Sequence, residues 1–98
     1  MELLNQTVLI TGGAGRIGSA IASKILEDGG TVLLTDINEE KLINLRERFS
    51  GEKKEKVYIF IADITTSNGI EKLLKDCLNK VKRIDSAIHS AYPTSIGW

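Results

Sequence analysis

The stretch Thr11-Gly12-Gly13-Ala14-Gly15-Arg16-Ile17-Gly18 holds four of the chain's nine glycines. Glycine weakens regular structure, so such a cluster needs a local reason. An apolar, β-branched run (Thr7–Ile10) precedes it and an apolar-periodic run (Arg16–Asp28) follows, which puts the glycines in a strand-to-helix turn. At such a junction one glycine permits the tight turn and another lets a pyrophosphate approach the backbone. A later one lets the helix pack closely. The unpaired N–H groups that open the helix, with its dipole behind them, favour an anion. Gly13, Gly15 and Gly18 carry the G-x-G-x-x-G spacing, and Asp36 falls 21 residues after Gly15. An acidic residue about 20 positions on is placed to meet ribose hydroxyls. The chemistry implied is recognition of a dinucleotide; the alternative is a tight turn that binds nothing.

Other reactive side chains read as structural. Cys77 falls on the inner face of a helical pattern, as a small core residue whose thiol has nothing nearby in sequence to lower its pKa. His89 closes a strand, where a satisfied histidine is commoner than a base. Tyr58 alternates within a strand as packing, and Tyr92 begins a loop. No metal-ligating cluster is expected.

The elements that must position the turn alternate regularly. Thr7–Ile10 and "TVLLTD" from Thr31 read as buried strands, and "VYIFIAD" from Val57 and Ile84–Ala91 as two more. The first helix runs from Arg16 to Asp28 with Ile17, Ala20, Ile21 and Ile25 inward and Gly29-Gly30 as its stop. Asn38 caps the second, whose inner stripe is Leu42, Leu45 and Phe49. "SGEKKEK" (Ser50–Lys56) reads as a solvated loop. Ser67 caps a third helix with Ile70, Leu73, Leu74, Cys77, Leu78 and Val81 on one face. The order β-α-β-α-β-α-β, with near-continuous apolar strands, predicts an α/β fold: a parallel, doubly wound sheet of Rossmann type in spatial order 3-2-1-4. Strand four would then form an open edge exposing Ala87 and Ile88.

Composition bounds the partners. The 98 residues make one small domain, with 42% hydrophobic and 27% charged residues. Thirteen basic and thirteen acidic side chains cancel, which argues against a nucleic-acid partner. One cysteine forms no internal disulfide, and the first apolar run is too short for a signal core or a membrane span. A cytoplasmic location and no membrane partner are the expectations.

With these residues in view, the chain resembles the short-chain dehydrogenase/reductase family. The resemblance rests on "TGGAGRIG" at Thr11–Gly18, "TDI" at Thr35–Ile37, "ADIT" at Ala62–Thr65 and "RIDSAIHSA" at Arg83–Ala91. It spans nearly the whole chain in family order. It implies a Rossmann fold that binds NAD, with NADP the less favoured form. Gly12, Gly15, Arg16 and Ile17 would line the cofactor phosphates, with Gly18 in the same turn. Asp36 and Ile37 would hold the adenosine ribose, Asp63 and Ile64 would edge the adenine, and Ser90-Ala91 would pass behind the nicotinamide ribose.

The pattern also departs from the family's. Its compact branch has Gly where Arg16 stands, and Asn-Asn-Ala-Gly where this chain reads His89-Ser90-Ala91-Tyr92. Thr11-Gly12-x-x-Gly15-x-x-Gly18 matches the extended branch of nucleotide-sugar epimerases and dehydratases, while "KRID" matches the compact one. The family's catalytic Tyr-x-x-x-Lys pair is not met, because Ala62 and Ile96 stand four residues beyond Tyr58 and Tyr92. No catalytic residue is therefore assigned within this chain. The expectation is the N-terminal half of a longer, homo-oligomeric oxidoreductase acting on a carbonyl or hydroxyl of a small-molecule substrate. The tail "SAYPTSIGW" is similar to relatives in surface-sugar synthesis. The alternatives are an epimerase or dehydratase and a non-catalytic dinucleotide-binding module.

Overall fold

The computed structural model describes residues 5–90. Four strands, β1 (Thr7–Thr11), β2 (Thr31–Asp36), β3 (Val57–Ile61) and β4 (Ser86–His89), form one sheet in the order β3-β2-β1-β4. Every neighbouring pair is parallel, so each connection must cross a face of the sheet. The crossovers carry α1 (Arg16–Glu27), then α2 (Glu39–Arg46) with α3 (Gly51–Glu55), then α4 (Ser67–Lys80).

Side chains alternate along each strand, and this splits the core into two layers. Val8, Ile10, Val32 and Leu34 join Ala22, Ile25, Leu26, Leu42 and Leu45 on the α1/α2 face. Leu9 and Leu33 join Leu73 and Cys77 on the α4 face. Helices on both faces make the sheet doubly wound, in the predicted strand order. Ile10, Leu33 and Leu34 are fully buried, and each contributes ~1.5–3 kcal/mol by leaving water.

Local chemistry fixes the helix ends. α1 stops in a Schellman motif: Gly29 sits at φ 87, its N–H bonds Leu26 O, and Gly30 N–H bonds Ile25 O. Asn38 caps α2 through its side chain, which accepts from Lys41 N at 3.0 Å.

Five expectations shift. The buried face of α1 is Gly18, Ala22, Ile25 and Leu26, with Ile21 half-buried and Ile17 and Ala20 exposed. The close seat of Gly18 on the preceding turn sets that rotation. The supposed loop at Ser50–Lys56 contains α3, built from helix-forming Lys and Glu and tied to α2. Arg46 Nη2 donates to Lys54 O, and Lys54 Nζ pairs with Glu47 at 3.0 Å. α4 is capped by Thr66, one residue earlier than Ser67, through a bond from Gly69 N to Thr66 Oγ1. β3 ends at Ile61, where its register with β2 stops, and β4 opens at Ser86, later than Ile84, where its register with β1 begins; the far end expected for it, Ala91, lies outside the described residues.

The fifth concerns the inner stripe of α4. Only Leu73 and Cys77 are buried, whereas Ile70, Leu74 and Leu78 stay exposed. Among the described residues no element lies beyond β4 to cover them. Ala87 is exposed and Ile88 half-buried along that edge.

Candidate functional site

The turn between β1 and α1 lies at the C-terminal end of the sheet, at the crevice where the strand order reverses between β1 and β4. Its left-handed residue is Gly12, at φ 71, just ahead of the G-x-G-x-x-G triplet. Gly13 is buried against the sheet: a Cβ there would stand 2.9 Å from Leu34 Cδ2. Gly18 packs on the turn itself, where a Cβ would stand 2.7 Å from Gly12 O and 2.8 Å from Gly13 Cα. At Gly15, by contrast with Gly13 and Gly18, a Cβ would meet nothing closer than 3.4 Å.

The start of α1 differs from the starts of α2 and α4. Its N-cap, Gly15, has no side-chain capping bond, whereas Asn38 and Thr66 accept one at the starts of α2 and α4. The N–H groups that open a helix have no intrahelical partner. Among the described residues no side chain at this end satisfies them.

Two adjoining cavities open beside this turn and share Gly12, Asp36 and Ile37. The larger, about 840 Å³, is also lined by Ala14, Gly15, Arg16, Lys41, Asn44, Leu45, Arg48 and Ser90. The smaller, about 200 Å³, is closed by Thr11, Thr35, Ala62, Asp63, Ile64 and Thr65. One carboxylate, Asp36, therefore faces a rim carrying Arg16, Lys41 and Arg48. Among the described residues none of these three cations is in a salt bridge. Asp36 spends one oxygen on the Asn38 N–H at 3.1 Å, which fixes the carboxylate as β2 gives way to α2. Asp63 accepts from the Thr65 hydroxyl and from Thr65 N–H, which together hold its carboxyl below the usual range.

Of the residues singled out in the sequence, Gly12, Gly15, Arg16, Asp36, Ile37 and Ser90 share the larger cavity, and Asp63 and Ile64 the smaller. Ile17 and Gly18 line neither; Ile17 is exposed and Gly18 lies beneath the turn. Ala91 and Tyr92 lie outside the described residues. His89 Nδ1 bonds Thr11 Oγ1, so the ring has a partner. Cys77 is fully buried, and burial with Asp76 alongside pushes its thiol up to about 11.

Sequence reasoning missed the rim formed by α2 and the turn that follows it. Lys41, Asn44 and Arg48 recur at i, i+3 and i+7, a helical stripe that was legible once the cap at Asn38 was accepted. Gly69 was missed too: a Cβ there would lie 1.8 Å from Asp63 O, so α4 begins in contact with the loop that closes the smaller cavity. Among the described residues no cluster of His, Cys, Asp or Glu could hold a metal, and no helix is long and apolar enough to cross a membrane.

The short chain dehydrogenase family model matches residues 6–92. The chain is 32% identical over 96 residues to a post-translational flagellin modification protein A of Campylobacter coli, covering 98% of this chain and 38% of that protein. It is 30% identical over 88 residues to an (S)-acetoin-forming diacetyl reductase of Staphylococcus epidermidis, covering 90% and 34%. The solved structure of a short chain dehydrogenase from Shigella flexneri superposes with a TM-score of 0.82 at 31% identity, covering 93% of this chain and 42% of that one. The chain thus spans about a third to two-fifths of the length of these proteins.

Proposed function

The chain belongs to the short-chain dehydrogenase family, and from that premise we propose that it is the dinucleotide-binding part of an oxidoreductase. The reaction is hydride transfer between a nicotinamide cofactor and a carbonyl or hydroxyl substrate. The observation that carries this reading is the uncapped start of α1 at the Gly12–Gly18 turn, opening on the same cavity as Asp36.

The residues fit the cofactor part by part. Phosphates suit the N–H groups of the turn and the guanidinium of Arg16. The Asp36 oxygen not bonded to Asn38 suits the ribose diol, and an apolar base suits the slot beside Ile37 and Ile64. The bound nicotinamide would supply or accept the hydride. This chain's residues bind and orient its adenosine half. Asp36 favours NAD, because its charge opposes a 2′-phosphate; Arg16, Lys41 and Arg48 on the rim soften that preference without reversing it.

The proton relay, a tyrosine with a lysine, is assigned to a segment outside these 98 residues. The greater length of the relatives supports this, as does the apolar groove of about 250 Å³ formed by Leu9, Ile70, Leu74, Ala87 and Ile88, which another strand and helix would fill. The flagellin-modification relative favours a substrate destined for a surface protein, and a sugar carbonyl or hydroxyl is the form we propose. Titration with NADH and NADPH, followed by nicotinamide fluorescence, tests the reading. Saturable binding with NADH the tighter is expected, and no binding of either would overturn it.

A further inference from the structure

We propose that Ser90 is a positioning residue for the phosphate turn, acting through backbone carbonyls and not by touching the ligand. This role rests on the dinucleotide reading above. Ser90 lies just past β4, on the far side of the strand-order reversal from β2. Its N–H donates to Thr11 O at 2.9 Å, and its hydroxyl donates to the same oxygen at 2.7 Å, with Gly12 O a second acceptor at 3.1 Å. Ser90 Oγ also occupies the space a Cβ on Gly18 would need, at 2.9 Å.

Those contacts hold two consecutive peptide units. In the first, Thr11 O is clasped from the β4 side. A trans, planar peptide then points the Gly12 N–H away from β4. In the second, Gly12 O is held by Ser90 and by Gly15 N–H at 3.1 Å, while Gly13 N–H bonds Thr35 O at 3.0 Å. The device matters because Gly12, at φ 71, adjoins a second glycine, and two glycines in a row can rotate the peptide between them at little steric cost. A rotated unit would turn a carbonyl oxygen out of the turn, and an anion would be repelled. The glycines grant the turn its shape, and Ser90 selects one orientation of its peptides.

The test compares the full chain with Ser90→Ala and Ser90→Thr. Alanine keeps the backbone bond to Thr11 O, so β4 stays paired and only the hydroxyl is lost. Calorimetric titration with ADP should show a dissociation constant about three- to tenfold higher for Ser90→Ala, the range for losing one neutral hydrogen bond. Adenosine, which carries no phosphate, should bind the variant as it binds the parent. Ser90→Thr should retain the parent's ADP affinity. Without any ligand, amide hydrogen exchange at Gly12 and Gly13 should accelerate in Ser90→Ala while β1 and β2 stay protected. Equal losses for ADP and adenosine, or unchanged exchange at the turn, would overturn the positioning role. If the parent binds neither ADP nor NAD, the dinucleotide reading fails, and the exchange experiment still decides whether Ser90 orders the turn.

Discussion

Replacing Asp36 by Asn sets the carboxylate against the rim cations in one measurement. Asparagine keeps an oxygen for the Asn38 N–H, so the junction of β2 and α2 should hold. A carboxylate and one phosphate charge ~4 Å apart oppose each other by about 4 kcal/mol at an effective dielectric of 20. A solvated rim cation about 8 Å away returns only ~0.5 kcal/mol at the dielectric of water. Arg16, Lys41 and Arg48 together then offset about 1.5 kcal/mol on the same estimate, which leaves about 2.5 kcal/mol against the 2′-phosphate. That is roughly a 70-fold preference for NAD before salt screening, and about tenfold is a fair expectation at 0.1 M salt. In Asp36→Asn the repulsion disappears and the cations remain. NADPH affinity should rise at least tenfold, while NADH should weaken about fivefold with the loss of a charge-assisted bond. Because the remaining attraction is between exposed charges, the gain in NADPH binding should shrink at high salt. Fluorescence titration of both variants at two salt concentrations reads all of this. An Asp36→Asn variant with the parent's NADH-to-NADPH ratio would refute the reasoning, as would a parent that binds NADPH at least as tightly.

Gly12→Val places a β-branched residue at φ 71 and should abolish ADP binding in calorimetry while leaving most of the helical circular dichroism; parent-like affinity would make the turn merely structural. Gly18→Val should cost stability as well, lowering the melting temperature by several degrees, because its Cβ meets the backbone of Gly12 and Gly13. In Gly69→Ala the new methyl must displace Asp63 O, so urea denaturation should show a loss on the order of 2 kcal/mol, with weaker adenosine binding. Cys77, buried with its thiol raised to about 11, should react with a disulfide reagent at pH 8 only as fast as the fold opens. An unfolded thiol ionises near 9 and the folded one near 11, so the unfolded chain holds fewer protons between them. The thiol's contribution to stability should therefore fall as pH climbs through that window, and Cys77→Ala should make the fall shallower than in the parent.

Periodicity made the sheet legible because both faces of its central strands are covered. Val32, Leu33 and Leu34 are buried in succession, and a run of that kind, alternating with amphipathic helices, fits a parallel strand covered on both faces. The turn was legible for a different reason: its glycines have steric jobs, and spacing along the chain records them. Asp36 was legible because the end of β2 fixes where a carboxylate can reach. The α2 rim was not, since exposed lysines and arginines usually mark a solvated face, and only the cavity beside Gly12 distinguishes Lys41, Asn44 and Arg48 from that background.

The misplaced faces of α1 and α4 share one physical cause. A hydrophobic stripe records every surface a helix can bury, but its rotation is set by the closest contact. For α1 that contact is Gly18 on the backbone of the turn, which brings Ala22 and Leu26 inward and leaves Ile17 outside. For α4 the contacts are Leu73 and Cys77 on the central strands and Gly69 on Asp63, leaving Ile70, Leu74 and Leu78 beside the open edge of β4. Both helices are therefore indexed at their N-terminal ends, where glycine meets a carbonyl, and both of those ends border the candidate site. Among the described glycines, these two close contacts fall on the loops that line the two cavities. A methyl group at Gly18 or Gly69 would shift those loops before it disturbed the strands, so binding should respond to such substitutions at least as strongly as stability does.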